Sequence, residues 1–431
     1  MLLEFSVGNY LSFKEIKSLS LVASPITEFK ENSSVKLHDN TLLKGAIIYG
    51  ANSSGKSNLI RAMSTMRRLV LKSFEQSSSD TLKVTPFLLS TTTADKPSHF
   101  EIIFQVKESR YRYGFEVTNT EVSAEWLYEA KLNKENALFI REGDGIDVKS
   151  SFEEGKDLES KTRNNALFLA VIDQFNGPTA KRIMKWFENF IAISGLQHEA
   201  YEFITFHMLS DEKTAKPLMD FYKSLDLGFD AIKPKRIPFN PKELPNDIPE
   251  SLLKLMVKDL EGSDRFVFKT RHPKFDEKNR PAGYQEIDLR EQESAGTNKV
   301  FNLSGPVFDV LKDGGVLVVD ELDASLHPLM TLAITKLFNS AKHNPKNAQL
   351  IFATHDSNLL SKGNYRRDQI YFIEKNKYGA SDLYSLIELR ETDGTKIRKD
   401  RSFEKDYVEG RYGAIPYIGN VQKAVNEWQE K

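Results

Sequence analysis

The feature that most constrains this chain is a phosphate-binding loop between an apolar strand and a helix. Residues 46–49 (AIIY) form a short apolar run, which predicts a buried strand. The run leads directly into GANSSGKS at 50–57, a full match to the P-loop pattern, and a helical pattern begins at Asn58. Small residues let backbone N–H groups surround phosphates, and the helix N-terminus adds partial positive charge. The sequence therefore predicts a nucleoside triphosphate site.

The residue types in the loop predict separate roles. Lys56 would reach the β- and γ-phosphates, and the hydroxyl of Ser57 would bind Mg²⁺. A chance turn rich in glycine and serine is the alternative, and the strand before it and the helix after it argue against that. The residues predicted to bind the nucleotide here are Gly50, Asn52, Ser53, Gly55, Lys56, Ser57 and Asn58.

Composition narrows the class of protein. The 431 residues predict two to three structural units, and 28% charged with 40% hydrophobic residues is typical of a soluble globular protein. The 60 Lys and Arg residues nearly balance the 61 Asp and Glu residues, so the net charge gives no indication of nucleic-acid binding. A local basic patch is still compatible with this composition. The absence of cysteine excludes disulfides and thiolate chemistry. Without a signal-peptide pattern or a long apolar run, we expect a cytoplasmic protein and no membrane contact.

The carboxyl-terminal part predicts a parallel α/β sheet. From Glu293 a helix to about residue 311 is followed by a strand over 315–321, a helix over 328–341, and strands over 348–355 and 369–376. Alternating strands and helices predict parallel pairing, and the P-loop strand should join this sheet.

The amino-terminal part reads as β-rich and the middle as helical. Period-two alternation predicts strands, including a hairpin over 99–118. From residue 166 the run ALFLAVIDQFNG leads into helical patterns over 179–193, 213–228 and 247–262. Strands are predicted again over 265–271 and 284–289. We therefore predict three domains: an amino-terminal lobe (1–164), a mainly helical insertion (165–282) and a carboxyl-terminal lobe (283–431).

An apolar strand ending in two acids supplies the second motif. Residues 315–319 (GVLVV) lead into Asp320 and Glu321, which matches a Walker B motif. Asp320 would hold Mg²⁺ and Glu321 would act as the base that polarises the attacking water. A buried strand that merely ends in two solvated acids is the alternative, and the upstream P-loop disfavours it.

Two further elements complete the set of motifs. The strand QLIFAT (349–354) ends at His355, placed to contact the γ-phosphate and sense hydrolysis, although a lone histidine often has only a structural role. The run ESAGT (293–297) precedes a helix, and small residues at a helix start form an anion-binding nest. Taken alone, that run is an ordinary N-cap.

This set resembles the ABC-type ATPases of the SMC/RecF class. More narrowly, it is similar to the RloA/AbiLi-type ATPases of prokaryotic abortive-infection systems, through the runs ESAGT, VVDELDASLHP, AQLIFATHD, YRRDQIYFIEK and GRYGAIP. The resemblance implies an α/β, ABC-type P-loop ATPase fold with a mixed central sheet, a β-rich amino-terminal lobe and an inserted helical lobe. It also implies ATP and Mg²⁺ as cofactors and hydrolysis of ATP. We expect that hydrolysis to be slow or stimulated by a partner, because the chain departs from the family pattern at His327.

The resemblance also assigns residues. Ser294 and Gly296 would be signature residues that contact the ATP of a second copy, which implies a homodimer, or a higher oligomer, with ATP at the interface. Gln174 would contact the γ-phosphate and Mg²⁺, and an ordinary surface glutamine is the alternative. His327 stands where related ATPases usually have Asp, so the contact across the dimer differs here, with Asp323 as a substitute.

The function implied is an ATP-gated switch of anti-phage defence that controls a separate effector, a nuclease or toxin. The residues after His355 contain no DxD cluster for a fused nuclease. The alternative is a RecF/SMC-like DNA-binding ATPase of DNA repair or DNA-end recognition, and the neutral net charge counts against it. One interpretation of Arg366, Arg367, Arg411 and Tyr412 is a charged sheet edge with a packed terminal helix. The other is a docking surface for a partner, or an arginine near a phosphate.

Overall fold

The computed structural model describes residues 1–37, 39–75, 77–131, 134–194, 201–238, 264–361, 364–391, 393–417 and the isolated positions 419, 422, 425, 426 and 428. The helix predicted over 247–262 lies outside them. The chain forms two compact units. The first comprises residues 1–196, 310–324 and 331–431, and the second comprises 197–309 and 325–330.

The strands in the described residues are β1 (Leu2–Gly8), β2 (Lys17–Ser20), β3 (Ser34–Leu37), β4 (Asn40–Leu43), β5 (Gly45–Tyr49), β6 (Ser98–Val106), β7 (Ser109–Val117), β8 (Val122–Lys131), β9 (Lys134–Glu142), β10 (Gly145–Val148), β11 (Phe190–Ser194), β12 (Ala231–Pro238), β13 (Asp264–Phe275), β14 (Pro281–Asp288), β15 (Val316–Asp320), β16 (Gln349–Ala353), β17 (Ile370–Lys375) and β18 (Ser381–Ser385).

The α-helices there are α1 (Lys30–Ser33), α2 (Lys56–Lys72), α3 (Phe168–Gln174), α4 (Pro178–Glu188), α5 (Glu202–Ser210), α6 (Glu212–Ser224), α7 (Leu289–Gln292), α8 (Ala295–Asp313), α9 (Pro328–Phe338) and α10 (Phe403–Val408). Short 3-10 turns occur at Ser73–Glu75, Glu153–Gly155, Glu159–Lys161, Ser357–Leu360 and Arg367–Gln369. Among the helices described, none combines the length and the apolar character that crossing a lipid bilayer requires.

The first unit contains an antiparallel sheet of seven strands in the order β10-β9-β8-β7-β6-β1-β2. Its strands alternate, as β6 shows: Phe100, Ile102 and Phe104 are buried, whereas Glu101 between them is half-buried. β6 and β7 form the predicted hairpin, with Val106 paired to Ser109. The β-rich character predicted for the amino-terminal part is therefore present.

The central sheet of the first unit has the strand order β11-β15-β16-β5-β17-β18. Neighbouring strands pair in parallel from β11 to β17, and β18 pairs with β17 in the antiparallel direction. The P-loop strand β5 belongs to this sheet, as predicted, and the structure places it between β16 and β17. The sheet is therefore mixed, as the resemblance implies.

The helix after the P-loop is buried along one face. α2 begins at Lys56, two residues before its predicted start, and its apolar side chains Leu59, Met63, Met66 and Val70 are all buried. That spacing places them on one face of a helix. α3 and α4 also belong to the first unit, and their apolar residues join the same hydrophobic core.

The helix predicted over 179–193 is wrong in its last third. α4 ends at Glu188, and residues 190–194 (FIAIS) form β11, which pairs in parallel with β15. A short apolar run with isoleucines is compatible with either a helix or a buried strand. Here the run forms a strand, because the free edge of β15 offers it backbone hydrogen bonds. The second unit consequently begins at 197 rather than 165, and it extends to 309 rather than 282.

The second unit mixes helix and sheet, whereas we predicted a mainly helical insertion. The strands predicted over 265–271 and 284–289 are present as β13 and β14. Its described part holds α5, α6, α7, most of α8 and an antiparallel sheet in the order β12-β13-β14. The aromatic rings of Phe268 and Phe301 lie 4.5 Å apart in its core, and the hydroxyls of Tyr222 and Ser304 are 2.5 Å apart.

One buried side chain joins the two sheets of the first unit. The side chain of Gln349, the first residue of β16, accepts a hydrogen bond from Leu2 N–H (2.6 Å) and donates to the carbonyls of Leu2 (3.0 Å) and Leu43 (2.9 Å). Gln349 is fully buried. Because buried backbone groups without partners are costly, this amide should contribute strongly to stability.

We predict that Gln349→Met lowers the free energy of unfolding by about 2–4 kcal/mol, because it leaves backbone groups of Leu2 and Leu43 buried without partners. Denaturant unfolding of the variant measures this loss. The exposed Gln285→Met is the control and should change stability by less than about 0.5 kcal/mol. Equal stability of the two variants would show that the bridge is dispensable.

Candidate nucleotide-binding site

The P-loop has a backbone conformation that requires glycine. Gly55 has a φ of +120°, and Ser53 also has a positive φ of 63°. A Cβ atom on Gly55 would lie 2.3 Å from Ser381 Oγ and 2.8 Å from Ser12 Oγ. No larger residue fits at position 55, so the loop leads into α2 only through this glycine.

Two serines outside the motif support the loop. Ser381, the first residue of β18, donates through its hydroxyl to the Ser54 carbonyl at 2.5 Å. Its Oγ also lies 2.8 Å from Ser12 Oγ, and Ser12 Oγ accepts from Asn58 Nδ2 at 2.8 Å. The loop is thus held by the segment after β1 and by β18, both far from it in the sequence.

Lys56 lies folded over its own loop. Its ammonium donates to the carbonyls of Gly50 (2.8 Å) and Ala51 (3.1 Å). Burial lowers the pKa of Lys56, and the nearby carboxylates of Asp320, Glu321 and Asp323 partly offset this effect. The predicted acids therefore lie close enough to this lysine to act on its charge.

The loop borders a polar cavity of about 400 Å³. Its lining residues are Asn52, Ser53, Ser54, Gly55, Lys56, Ser57, Asn58, Glu321, His355 and Lys375. Residues from positions near 50, 320, 355 and 375 therefore meet in one place. A triphosphate needs such a set of backbone N–H groups, hydroxyls and cations.

The acidic end of β15 is strained and incompletely bonded. Glu321 has a φ of +50°, a left-handed conformation that is uncommon for a residue other than glycine. Asp320 Oδ1 is buried without a hydrogen-bond partner. Strain and unsatisfied polar atoms concentrate at functional sites, so both observations support a role for this turn.

The donors present fit Mg²⁺. Ser57 and Asp320 offer the oxygen ligands that this hard cation prefers, and Asp320 Oδ1 has an unused lone pair. Within the described part of the chain, no cluster of three or more histidine or acidic side chains could hold a metal. Magnesium here would therefore rely mainly on phosphate oxygens and water, as is usual for this ion.

His355 is attached to the acidic turn through Asp323. Its backbone N–H donates to Asp323 Oδ2 at 3.2 Å, and the Leu322 N–H donates to the Ala353 carbonyl at 3.1 Å. Burial lowers the pKa of His355, and the positive charge of Lys56 lowers it further. The imidazole is therefore neutral at neutral pH.

Asp323 has a local role besides the predicted one. One of its carboxylate oxygens bonds to His355, and Oδ1 is buried without a partner. His327 belongs to the second unit, is exposed, and accepts the Leu329 N–H through Nδ1 at 3.2 Å. Whether Asp323 also replaces the usual aspartate across a dimer stays a prediction.

The structure does not bring Gln174 to the cavity. It is the exposed last residue of α3 and is not among the lining residues. α3 starts near the opposite end of α2, where the Leu167 N–H donates to Ser73 Oγ. The expected contact of Gln174 with the γ-phosphate and Mg²⁺ is therefore unsupported, and the alternative of a surface glutamine fits.

Ser294 and Gly296 belong to the second unit. Ser294 Oγ accepts the Thr297 N–H at 3.0 Å and so caps α8. A Cβ on Gly296 would lie 2.6 Å from the Ser325 carbonyl, so that position also requires glycine. Their contact with ATP on a second copy stays a prediction.

The arginines of the carboxyl-terminal tail support packing rather than docking. Arg366 is buried and donates to Asp368 and to the carbonyls of Ser24 and Glu28. Arg367 pairs with Glu28 at 2.6 Å.

Near α10, the Tyr412 hydroxyl donates to Asp406 at 2.9 Å, and Arg411 pairs with Glu409 at 3.1 Å. Tyr412 is therefore buried beside α10, whereas Arg411 is exposed and forms local ion pairs.

Lys375 is a lining residue that the sequence reasoning missed. It ends β17, which pairs with the side of β5 opposite to β16; Phe372 pairs with Tyr49, and Lys375 lies three residues further on. His355 and Lys375 therefore flank the loop from opposite sides. The available signal was the pattern of an apolar strand ending in a polar residue, IYFIEK.

The sheet, the phosphate-binding loop and the acidic strand end define an ABC-type P-loop ATPase fold. The chain belongs to the family described as "AAA domain, putative AbiEii toxin, Type IV TA system", which matches residues 46–361. No curated protein shows a significant match.

Solved structures of the recombination mediator protein RecF in the RecFOR pathway also match. The ATP form is 14% identical over 89% of this chain and 99% of that chain, with a TM-score of 0.31. The ATPrS form is 15% identical over 89% and 98% of the two chains, with a TM-score of 0.28.

We predict that Lys375→Ala weakens nucleoside triphosphate binding about tenfold, because it removes one of the cations that line the cavity. Calorimetric titration with ATP measures this. Lys377→Ala is the matched control, since Lys377 lies on the same hairpin over the Tyr378 ring and does not line the cavity, and it should bind as tightly as the parent. An unchanged affinity of Lys375→Ala would remove Lys375 from the site.

Proposed function

We propose that this chain binds and hydrolyses ATP as a molecular switch of a prokaryotic anti-phage defence system and controls a separate effector, a nuclease or toxin. The observation that carries the proposal is the cavity in which Lys56, Ser57, Glu321 and His355 meet. The family description names a toxin–antitoxin system, and this supports defence over DNA repair. The narrower RloA/AbiLi type rests on the sequence runs that ESAGT and VVDELDASLHP exemplify.

The chain's own residues contribute to phosphoryl transfer by positioning and charge. Backbone N–H groups at the start of α2 bind the phosphates, and Lys56 exchanges the carbonyls of Gly50 and Ala51 for phosphate oxygens. Ser57 and Asp320 would hold Mg²⁺, which neutralises charge developing on the phosphates when bound.

Glu321 and His355 then act on the terminal phosphate. Glu321 accepts a proton from the attacking water, and its positive φ directs the carboxylate into the cavity that it lines. His355, neutral at neutral pH, donates one ring N–H to the γ-phosphate. Because Asp323 bonds to the His355 backbone, any movement of the acidic turn also shifts this histidine.

The proposed assembly is a homodimer that encloses ATP. Ser294 and Gly296 start a helix capped by a serine, which suits them to contact phosphate on a second copy. ATP would then hold two copies together, and hydrolysis or occupancy would change the contact with the effector. Purification of the chain with the product of the adjacent reading frame, followed by sizing with and without ATP, tests the effector; a complex that never forms would contradict this part.

Lys56→Ala should weaken ATP binding by at least about tenfold, because it removes a charge-assisted hydrogen bond to phosphate. Calorimetric titration measures the loss. Lys72→Ala is the control, since Lys72 lies exposed at the other end of α2 and pairs with Glu75. If both variants bind ATP like the parent, the loop is not the nucleotide site.

Glu321→Gln should retain ATP binding, lower the hydrolysis rate by about 10²–10⁴-fold and accumulate the ATP-bound dimer, because the amide cannot accept the proton. Phosphate release and light scattering measure the rate and the mass. The exposed Glu188→Gln should hydrolyse ATP normally. Parental hydrolysis by Glu321→Gln would refute the base assignment, and a monomer that is saturated with ATP would refute the dimer.

A further inference from the structure

The strands of the second unit are strongly basic for a neutral chain. Residues 231–238 and 264–288 hold nine Lys and Arg against five Asp and Glu, whereas the whole chain holds 60 against 61. These residues form the sheet β12-β13-β14. The sheet β12-β13-β14 is therefore a local basic patch in a chain whose overall charge is nearly balanced.

One face of the sheet packs on the core of its unit. The other, called the open face below, is exposed or half-buried along the residues that the structure describes. Ile232, Phe268 and Thr270 are buried, and Ile232 pairs directly with Thr270. Because side chains alternate along a strand, the residues between them lie on the opposite face. On that open face the register places Lys233, Lys235, Lys269, Arg271, Tyr284, Glu286 and Asp288.

The open face keeps an arrangement that costs stability. Lys233 pairs directly with Lys269 across β12 and β13, and like charges in that position repel. Glu286 forms an ion pair with Lys233, and Lys233, Lys269 and Arg271 together lower the pKa of Glu286. Three cations thus act on a single carboxylate.

The second carboxylate of the face is already engaged. Asp288 accepts the backbone N–H of Arg290 at 3.0 Å and caps α7. It keeps its negative charge and partly neutralises Lys269, which pairs with it across the strands. The open face nevertheless holds four cations against two carboxylates, namely Lys233, Lys235, Lys269 and Arg271 against Glu286 and Asp288. The face retains an excess of positive charge.

An aromatic ring lies among these cations. Tyr284 is 60% exposed, and the Arg271 guanidinium lies 4.5 Å from the centroid of its ring. Arg271 Nε has no hydrogen-bond partner among the described residues. Phe275, at the end of β13, is 54% exposed. Exposed rings beside cations are the elements on which unpaired bases stack while phosphates are neutralised.

We propose that the open face of β12-β13-β14 binds single-stranded nucleic acid. Lys233, Lys235 and Lys269 would contact phosphates, and Tyr284 with Arg271 would stack a base. A duplex hides the faces of its bases, and an acidic peptide has no base to stack, so the combination of charge and ring favours a single strand. This surface lies outside the nucleotide cavity, and no residue of that cavity belongs to it.

Fluorescence anisotropy with the full chain and labelled RNA and DNA single strands of about 20 nucleotides tests the proposal, with a duplex of the same length for comparison. Single strands should bind more tightly than the duplex. With about three phosphate contacts, affinity should fall about tenfold between roughly 50 and 200 mM salt. Absence of single-strand binding, or preference for the duplex, would overturn the proposal.

Matched variants locate the surface. Tyr284→Ala and Lys269→Glu should each weaken single-strand binding about tenfold. Tyr378→Ala is the control for the ring, because Tyr378 is also exposed and also lies beneath a cation, Lys377, and Lys185→Glu is the control for the charge. Equal losses in test and control variants would overturn the assignment to this sheet.

Two further measurements on the same preparations distinguish a specific loss of strand binding from misfolding or a damaged nucleotide site. Circular dichroism shows whether each variant is folded, and calorimetric titration with ATP reports the nucleotide cavity. Tyr284→Ala and Lys269→Glu should bind ATP like the parent. Loss of ATP binding by Lys56→Ala with intact strand binding would separate the two sites, so failure of the ATP proposal and failure of this one give different results.

Discussion

The parallel pairing of β5 between β16 and β17 is the constraint on which the site depends. Parallel strands end at the same edge of a sheet, so the register alone brings together residues that follow different strands. Ala353 pairs with Ile48 on one side, and Phe372 pairs with Tyr49 on the other. β15 then adds to β16, which places its acidic end beside the loop. No sequence proximity is needed once this register forms.

At this same edge of the sheet, the backbone is strained and several polar atoms lack hydrogen-bond partners. Glu321 and Ser53 have positive φ values, and Ser54 Oγ, Asp320 Oδ1 and Asp323 Oδ1 are buried without hydrogen-bond partners. Each such feature costs free energy, so the surroundings must hold them.

Three hydrogen bonds support this edge of the sheet. Ser381 fixes the loop at Ser54, the Leu322 N–H bonds to β16, and Asp323 bonds to His355. The site therefore lies at the edge of a buried sheet in which β15, β16, β5 and β17 are each paired on both sides, and its polar atoms are left for a ligand.

Sequence reasoning predicted the parts of the site that are encoded locally. The P-loop, the acidic end of β15 and the end of β16 each combine an apolar run with polar residues, and the structure brings them together. Sequence reasoning failed where the structure of a segment depends on pairing with a strand that is distant in the sequence. β11 looks helical until the edge of β15 is available, and Lys375 joins the cavity only through the register of β17 with β5. Gln174 was assigned by its neighbours in the sequence, and its helix lies elsewhere.

The second unit shows how one strand can serve two surfaces. On the packed side of β13, Thr270 Oγ1 donates to Glu293 at 2.6 Å, and His272 Nε2 lies 2.7 Å from the same carboxylate oxygen. Glu293 immediately precedes Ser294, whose carbonyl accepts from Asn298 at 3.1 Å. Arg271, between Thr270 and His272, points to the open face.

A ligand bound by Arg271 therefore contacts β13, the strand whose packed side holds Glu293. Glu293 directly precedes Ser294, the first of the two signature residues. Any shift of β13 that such a ligand causes must move the two side chains that hold Glu293. Coupling between the surfaces requires only that β13 have two positions, because packed elements tend to shift between discrete arrangements rather than deform continuously. The near-zero net charge of the chain hides this arrangement, since acidic residues elsewhere cancel the lysines and arginines that the sheet gathers on one face.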